Sequence, residues 1–351
     1  MDQLKLNVSL LRRRVPNLTS AARSVGLRPA TVSNLCTGKI PIARAEVRTL
    51  VALASLAECS VDELLIKGSE GEMIETGIKV LDLFAPLTKG GTIGFVARPG
   101  MGQLVVLSEV LYRLKAQGYA TVFLVPEEAS VGISDVIDVV EKVCHSTEEV
   151  SNYILAEGKK REVVLAADRS IVLSGEIFTL QEHFGSAGIE SVTTLLVDPR
   201  GEVVDEDEPY GPLDTLWQFD AELTARKMFP AIQPVISTSV VLEGSHLEQT
   251  HMVIQQRARK LLRRYRELRF LVQENGLERL PANDVEIYKR GLRLEAYFTQ
   301  PFFVAEEYTK KKGETVSLEQ TLKDVAKLLD GGADGWETDQ LLYIGSIEGR
   351  E

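Results

Sequence analysis

Residues 93–104 read Ile-Gly-Phe-Val-Ala-Arg-Pro-Gly-Met-Gly-Gln-Leu, and this stretch decides how the rest of the chain is interpreted. An apolar run enters it and an amphipathic stretch leaves it, which predicts a strand, a loop and a helix. A phosphate-binding loop at such a junction has the pattern G-x-x-x-x-G-K-[ST]. Here Ala97 replaces the first glycine, Gln103 the lysine and Leu104 the magnesium-binding hydroxyl residue, whereas Gly102 is retained. The segment has the setting of a nucleotide site without the side chains that bind phosphate and magnesium.

The chemistry of this loop follows from the substitutions. Phosphoryl transfer depends on positioning and on the stabilisation of negative charge. Gln103 is a neutral donor, and each lost charged hydrogen bond costs about 1.5–3 kcal/mol. Arg98 and Gly100 lie inside the loop, and Arg98 is the local candidate for a substitute charge. We expect weak, magnesium-insensitive binding of ATP or ADP at residues that include Arg98, Gly100, Gly102 and Gln103.

Composition places this loop in an ordinary globular protein. The chain has 351 residues, of which 44% are hydrophobic, and two or three domains are expected. No apolar run approaches the ~20 residues of a membrane span. Three scattered cysteines fit a reducing compartment, and no metal-ligand spacing is present. The sequence therefore predicts a cytoplasmic protein without a membrane contact or a metal site.

Charge is distributed unevenly along the chain. Residues 1–68 carry ten Lys or Arg and five Asp or Glu, whereas the whole chain has a net charge of −11. A basic N-terminal part on an acidic remainder is typical of a nucleic-acid-binding domain attached to another function. The alternative is an ordinary drift in the charge of a small domain.

Residues 17–40 have the pattern of two short helices joined by a tight turn. Gly26 permits the turn, because glycine adopts left-handed backbone conformations at little cost. Pro29 suits the first turn of the second helix, in which Val32 and Leu35 are expected to be buried. A helix, a glycine turn and a second helix form the layout of a DNA-reading helix-turn-helix.

The flanking sequence supports this interpretation, since Ser60 and Glu63 predict a capped last helix. Residues 4–67 resemble the Cro-type repressor family of DNA-binding domains. The resemblance implies that four side chains face the major groove of double-stranded DNA: Arg28, Thr31, Ser33 and Asn34. Two basic residues would contact phosphate instead: Arg23 and Lys39. The alternative is a small helical module that binds protein.

Beyond the polar linker at 67–72 the pattern changes. Apolar runs near 120–125, 162–167 and 192–198 alternate with helical patterns, which predicts a parallel sheet covered on both faces. The predicted fold class is α/β. It comprises an all-α helix-turn-helix domain (1–67), a RecA-like P-loop core with a parallel sheet (73–250) and a C-terminal helical domain (251–351).

The sequence outside the first domain resembles the catalytic (beta) subunit of the rotary ATP synthase. The similarity is clear at 75–95, 171–198 and 219–239, and most specific in QPFFVAEEYTKKKGETVSLEQTLKDVAKLLDG at 300–331. It covers most of residues 73–349, and the helix-turn-helix stands where that family has its N-terminal β-barrel. The family forms a six-membered ring of alternating subunits, in which the barrel makes the crown contacts, so a dimer and a ring both stay open here. A homo-oligomer is expected because a single helix-turn-helix head binds DNA weakly.

The resemblance implies roles for individual residues. Glu128 matches the catalytic glutamate that orients the attacking water, and Asp198 matches the Walker-B aspartate. The adenine pocket is matched by four residues: Phe229, Phe302, Ala305 and Tyr308. Val240 stands where related subunits carry the arginine that acts as a finger, and the loop after Asp198 lacks the family's phosphate-contacting arginine.

Three hypotheses follow from these residues. The first is a DNA-binding, transcription-regulating protein with a catalytically inactive pseudo-ATPase body used for oligomerisation or weak nucleotide sensing. The second is an active but atypical ATPase that uses Glu128. The third is a scaffold or assembly factor that binds ATP-synthase-like subunits.

Overall fold

A computed structural model describes residues 4–15, 18–36, 40, 42–67, 72–126, 132–189, 191–205, 210–211, 213–243 and 247–349. Two predicted site residues, Lys39 and Glu128, lie outside these ranges. We refer to residues 4–67 as the N-terminal module and to residues 72–349 as the body.

The N-terminal module is a small helical bundle with its own core. Its elements are β1 (Leu4–Leu6), α1 (Val8–Arg14), α2 (Leu18–Ser24), α3 (Pro29–Cys36), α4 (Val47–Leu56), α5 (Val61–Leu64) and β2 (Leu65–Lys67). Apolar side chains from successive helices meet in one buried cluster, which includes Val8, Leu11, Val15, Val32, Leu35, Leu53 and Ala57. The spacing of these residues at three and four positions explains why the segment folds as packed helices.

The expectation of an all-α module was wrong in one respect. Its two ends form an antiparallel strand pair, β1 with β2, in which Leu6 lies opposite Leu65. Extended segments that meet satisfy each other's backbone donors and acceptors. The strand pair therefore joins the first and last segments of the N-terminal module.

Local signals in the module behaved as predicted. Gly26 has φ +77° between α2 and α3, and Val32 and Leu35 are buried. The Ser60 hydroxyl accepts a hydrogen bond from the Glu63 amide at 3.1 Å, and the Glu63 carboxylate accepts one from the Ser60 amide at 2.8 Å. This capping box confirms the predicted start of α5.

The body is mixed α/β. Its strands are β3 (Met73–Ile74), β4 (Leu87–Thr88), β5 (Thr92–Val96), β6 (Ala120–Leu124), β7 (Lys142–Cys144), β8 (Val163–Asp168), β9 (Val192–Val197), β10 (Thr215–Gln218) and β11 (Thr238–Ser239). Its helices up to the end of the sheet are α6 (Lys79–Phe84), α7 (Gln103–Ala116), α8 (Ile133–Val139), α9 (Thr147–Glu157), α10 (Ser170–Leu173), α11 (Glu176–Ser186) and α12 (Ala221–Ala225). The C-terminal helices are α13 (Gln249–Asn275), α14 (Ala282–Tyr297), α15 (Glu306–Thr309) and α16 (Leu318–Leu329).

The main sheet has the strand order β11-β10-β5-β9-β8-β6-β7. Neighbouring strands are parallel from β10 to β7, and β11 is antiparallel at the edge. The three apolar runs near 120–125, 162–167 and 192–198 correspond to β6, β8 and β9, as predicted. A mostly parallel sheet with helices is consistent with a RecA-like core.

Residues of the central strands alternate between two buried clusters, one on each face of the sheet. In β8, for example, Val164 and Ala166 belong to one cluster and Leu165 to the other. The first cluster continues into α13, α14 and α16 through residues such as Leu262, Leu294 and Val325. The segments 73–250 and 251–351 therefore share a hydrophobic core.

Candidate functional site

The segment that stands in place of a phosphate-binding loop, residues 97–102, is called the degenerate loop. It lies between β5 and α7, at the carboxyl edge of the parallel strands, where α/β folds usually bind ligands. Gly100 and Gly102 have φ of +83° and +85°, and α7 begins at Gln103. Arg98 is exposed at the surface of the loop, whereas the Gln103 side chain is only 4% exposed. The two residues thus occupy different environments, and only Arg98 presents its side chain to solvent.

Leu104 takes part in apolar packing. It is half-buried against the main core, and a Cβ built on Gly132 would lie 3.2 Å from Leu104 Cδ1. The sequence position of the metal-binding hydroxyl residue in a working loop is therefore taken by a hydrocarbon side chain that packs near Gly132. A hydrocarbon side chain cannot ligate magnesium.

The loop that follows β9 lies directly on the degenerate loop. A Cβ built on Gly201, which has φ +74°, would come within 2.5 Å of Pro99 Cδ and 3.0 Å of Arg98 Cα. Only a glycine fits this approach without a shift of one of the two loops. The approach is organised by Asp198, the predicted Walker-B residue at the end of β9.

Both carboxylate oxygens of Asp198 accept hydrogen bonds from its own loop. Oδ1 accepts from the Arg200 amide at 2.9 Å and Oδ2 from the Val203 amide at 3.0 Å. Nearby, Arg169 forms an ion pair with Glu202 at 3.6 Å. Asp198 is buried, so its oxygens act as anchors for backbone amides.

The four predicted adenine residues do not share one environment. The Phe229 ring lies beside the degenerate loop, with Cδ1 3.9 Å from a Cβ built on Gly102. Phe302 is 6% exposed within the main core and Ala305 is half-buried. Tyr308 is 91% exposed. The structure therefore brings Phe229 to the loop, and leaves Tyr308 in solvent on α15.

Sequence reasoning missed the pair that joins these parts. Glu109 on α7 accepts hydrogen bonds from the amides of Phe303 (3.2 Å) and Val304 (3.0 Å), and from Arg113 Nε at 2.7 Å. Arg113 Nη2 in turn donates to the Glu314 carbonyl at 2.8 Å. A Glu and an Arg four residues apart in an otherwise apolar helix were the available signal. The pair connects the helix behind the loop to the segment that carries Phe302.

The predicted DNA-contacting residues are distributed over α2, the turn and α3. Arg23 and Arg28 are exposed. Three residues of α3 are half-buried rather than fully exposed: Thr31, Ser33 and Asn34. Lys39 lies outside the described residues.

The described ranges also bear on metal binding and on membrane insertion. Within them, no group of three or more His, Cys, Asp or Glu side chains is arranged to hold a metal ion. Nor does any helix within those ranges combine the length and hydropathy needed to cross a bilayer.

Comparison with known proteins supports the resemblance of the body. The chain is 28% identical over 333 aligned residues to ATP synthase subunit beta 2 of Bradyrhizobium sp. strain BTAi1, with 80% of this chain and 70% of that protein covered. It is 28% identical over 334 residues to ATP synthase subunit beta 1 of Pseudoalteromonas atlantica strain T6c, with 80% and 62% covered. No family model matches the chain. The body is thus similar to ATP synthase beta subunits.

Proposed function

We propose that this protein binds double-stranded DNA through its N-terminal module and regulates transcription. Its body is an ATP-synthase-beta-like pseudo-ATPase that serves for oligomerisation or weak nucleotide sensing. The observation that carries the proposal is the loss of phosphate-binding side chains. Gln103 and Leu104 stand at the positions of the lysine and the hydroxyl residue. The Asp198 carboxylate accepts hydrogen bonds from its own loop. Because the body lacks the side chains for phosphoryl transfer, we assign the activity of the protein to the N-terminal module.

The argument against hydrolysis rests on charge. A working site places a lysine and a metal ion against the β- and γ-phosphates, and an arginine finger alone contributes about 10³–10⁵ in rate. Gln103 is neutral, Leu104 packs against Gly132, and Val240 stands at the finger position. Arg98 lies within the loop, and its side chain is exposed. Weak binding of ATP or ADP through Phe229 and the loop backbone remains compatible with these features.

The argument for DNA rests on the module. Two short helices meet at Gly26, and the second carries polar side chains beside the exposed Arg28. One such module binds DNA non-specifically with a Kd of ~10⁻⁴–10⁻⁶ M. Specific occupancy requires two or more modules on one particle, since linkage multiplies affinity. The proposal therefore includes a homo-oligomer built by the body.

A DNA selection experiment tests the proposal. The full chain is incubated with a genomic fragment library, bound fragments are recovered, and the best fragment is used in gel shifts. We expect Arg28→Ala and Asn34→Ala to weaken binding at least ~10-fold, since each lost base contact costs about 1–3 kcal/mol. Arg48→Ala is the matched control, because Arg48 is an exposed arginine of the same module on α4. Recovery of random fragments, or equal effects of the three substitutions, would count against DNA recognition.

A phosphate-release assay tests the inactive body. The wild type is compared with Glu128→Gln in the presence of magnesium and ATP. We expect no difference between the two, whereas turnover that depends on Glu128 would establish the atypical ATPase instead. Calorimetric titration with ATP, ADP and adenosine completes the test, and a strong magnesium-dependent preference for ATP would contradict the proposal.

A scaffold function is the second candidate, and one observation favours it. Val47 and Val51 on α4 are 74% and 47% exposed, one helical turn apart, so the module presents an apolar pair to solvent. A module that binds protein would use this face. The double variant Val47→Ser with Val51→Ser tests this function. A variant that no longer captures ATP-synthase-like subunits but still binds DNA would favour the scaffold function.

A further inference from the structure

Helices α13 and α14 pack against each other as a hairpin whose end is formed by residues 270–290. The structure describes all of residues 270–290, and none of them is fully buried. Phe270 is 66% exposed and Leu271 is 43% exposed. Large apolar or aromatic side chains occur at eight of these positions: Phe270, Leu271, Val272, Leu277, Leu280, Val285, Ile287 and Tyr288. Apolar surface that is left exposed in one continuous segment indicates an interaction site.

The same hairpin has an asymmetric charge distribution. Residues 249–266, which we call the basic stem, carry six Lys or Arg and no Asp or Glu. Residues 267–286, which we call the acidic tip, carry five Asp or Glu and two Arg. A partner that fits this surface therefore needs an acidic region beside a basic region, in the opposite order. A second copy of this chain in antiparallel orientation meets that requirement.

Four of these charged side chains are available for a partner. Lys260 and Arg263 are exposed cations of the basic stem, and Glu274 and Glu278 are exposed acids of the acidic tip. None of the four has an ion-pair partner among the described residues. Each can therefore pair with an opposite charge of another molecule without breaking an ion pair of its own chain.

The positions of the four side chains suit one two-fold axis. Arg263 and Glu274 are centred between residues 268 and 269, and Lys260 and Glu278 are centred on residue 269. Two α13 helices that cross antiparallel at this point bring each cation opposite an acid of the other chain. A two-fold axis makes each of these contacts occur twice.

The centre of this arrangement is apolar. Phe270 and Leu271 lie within one helical turn of the crossing point, on the exposed side of α13. Glu267 is exposed on the same side, and it is ion-paired with Arg264 of its own chain at 2.9 Å. An aromatic anchor at the centre with charged side chains around it is the usual arrangement of a protein interface.

We propose that two copies of this chain associate as an antiparallel dimer through the exposed side of α13. The inference rests on the homo-oligomer of the proposed function, and it identifies the surface that builds it. A contact of this kind is about one helix wide, so we expect a weak dimer with a Kd on the order of 10 µM. The dimer carries two N-terminal modules, which supplies the linkage that specific DNA binding requires.

Sedimentation equilibrium of the full chain without DNA tests the dimer, over concentrations that span the expected Kd. The tip variant is Glu274→Lys with Glu278→Lys, and the stem variant is Lys260→Glu with Arg263→Glu. Each places like charges opposite one another and should weaken association at least ~10-fold. The combined variant, with all four substitutions, places opposite charges together again. Its Kd should return to within ~3-fold of the wild-type value.

Two further variants separate the interface from general effects of charge and folding. Asp138→Lys with Glu148→Lys changes the net charge as much as the tip variant, at exposed acids of α8 and α9, and should leave the Kd unchanged. Phe270→Ser removes the apolar centre and should weaken association at least ~10-fold. Circular dichroism checks that each variant keeps the helical content of the wild type.

The possible outcomes distinguish this interface from the proposed function. A chain that stays monomeric at every concentration would overturn both the interface and the homo-oligomer. An oligomer whose mass is unaffected by the tip and stem variants would overturn the interface alone. A combined variant that fails to regain association would overturn the antiparallel pairing. A stem variant that loses DNA binding but keeps the wild-type mass would assign the basic stem to DNA and overturn the dimer contact.

Discussion

The carboxylate of Asp198 accepts a hydrogen bond from the amide of Val203, five residues further along, at 3.0 Å. Together with the bond from Arg200, this contact bends the loop after β9 so that Gly201 meets Pro99 of the degenerate loop. The residue predicted to bind magnesium thus holds the loop after β9 against the degenerate loop. In this chain the aspartate has a structural role that needs no nucleotide.

Replacement of Asp198 should therefore reduce stability. Asp198→Ala removes the acceptor of the buried Val203 amide and of the part-buried Arg200 amide, at a cost of about 1–3 kcal/mol. Asp198→Asn retains one acceptor oxygen, so its free energy of unfolding should lie between those of Asp198→Ala and the wild type. Urea unfolding measures the difference, and a cost no larger than that of the exposed Glu307→Ala would contradict the anchoring role.

The backbone of the degenerate loop gives a second prediction. Gly102 has φ +85°, and a Cβ there would lie 3.9 Å from the Phe229 ring. A side chain at this position would therefore reduce stability through the left-handed backbone conformation and not through a clash. Gly102→Ala should destabilise the protein by about 1–2 kcal/mol. Gly185 on α11 is the control, since it has an ordinary φ and open space around it. Gly185→Ala should stabilise by about 0.5–1 kcal/mol, and equal effects in thermal unfolding would refute the explanation.

The buried pair of Glu109 and Arg113 gives a third prediction. Glu109→Gln leaves Arg113 as an uncompensated buried charge and should cost about 3–5 kcal/mol. Glu319 and Lys323 on α16 have the same spacing but are exposed, so Glu319→Gln should change the free energy of unfolding far less than Glu109→Gln does. Denaturant titration of both variants checks the contrast. Similar costs would show that burial does not decide the energetics of these pairs.

The buried His251 predicts a pH dependence. Its Nε2 lies 3.0 Å from the Leu83 carbonyl, so Nε2 carries the proton. The buried Nδ1, which has no hydrogen-bond partner among the described residues, is unprotonated. Burial lowers the pKa of His251 below its ordinary value. Below about pH 6.5 the unfolded chain takes up a proton that the folded protein excludes, so stability falls as the pH falls. His251→Gln should remove a slope of at most about 1.4 kcal/mol per pH unit, and an unchanged slope between pH 7 and pH 5 would contradict this.

Restoration of the phosphate-binding residues gives a fifth prediction. Gln103→Lys with Leu104→Thr returns the charge and the metal ligand, and should raise affinity for ATP with magnesium at least ~10-fold, or about 1.4 kcal/mol. Leu104→Thr alone lacks the charge and should have a smaller effect. Calorimetry measures both variants. Wild-type affinity already equal to that of the double variant would mean that the loop binds phosphate by another route.

Much of the fold followed from local pattern. The apolar runs of β6, β8 and β9 were recognisable because a strand buried on both faces has a continuous apolar sequence. Gly26 and the Ser60–Glu63 box marked helix ends through interactions that span only a few residues. The pairing of β1 with β2 was missed because it joins residues some sixty positions apart and its energy depends on closure of the whole module.

The candidate site was only partly predictable for the same reason. Substitutions at positions 97, 103 and 104 are properties of the sequence, and they establish by themselves that the loop has lost the usual lysine and hydroxyl. Whether Asp198 faces a ligand or its own loop, and whether Tyr308 is buried or exposed, depends on how separate segments pack. Side-chain chemistry is fixed residue by residue, whereas the availability of each group to a ligand is decided by the neighbours that tertiary packing brings to it.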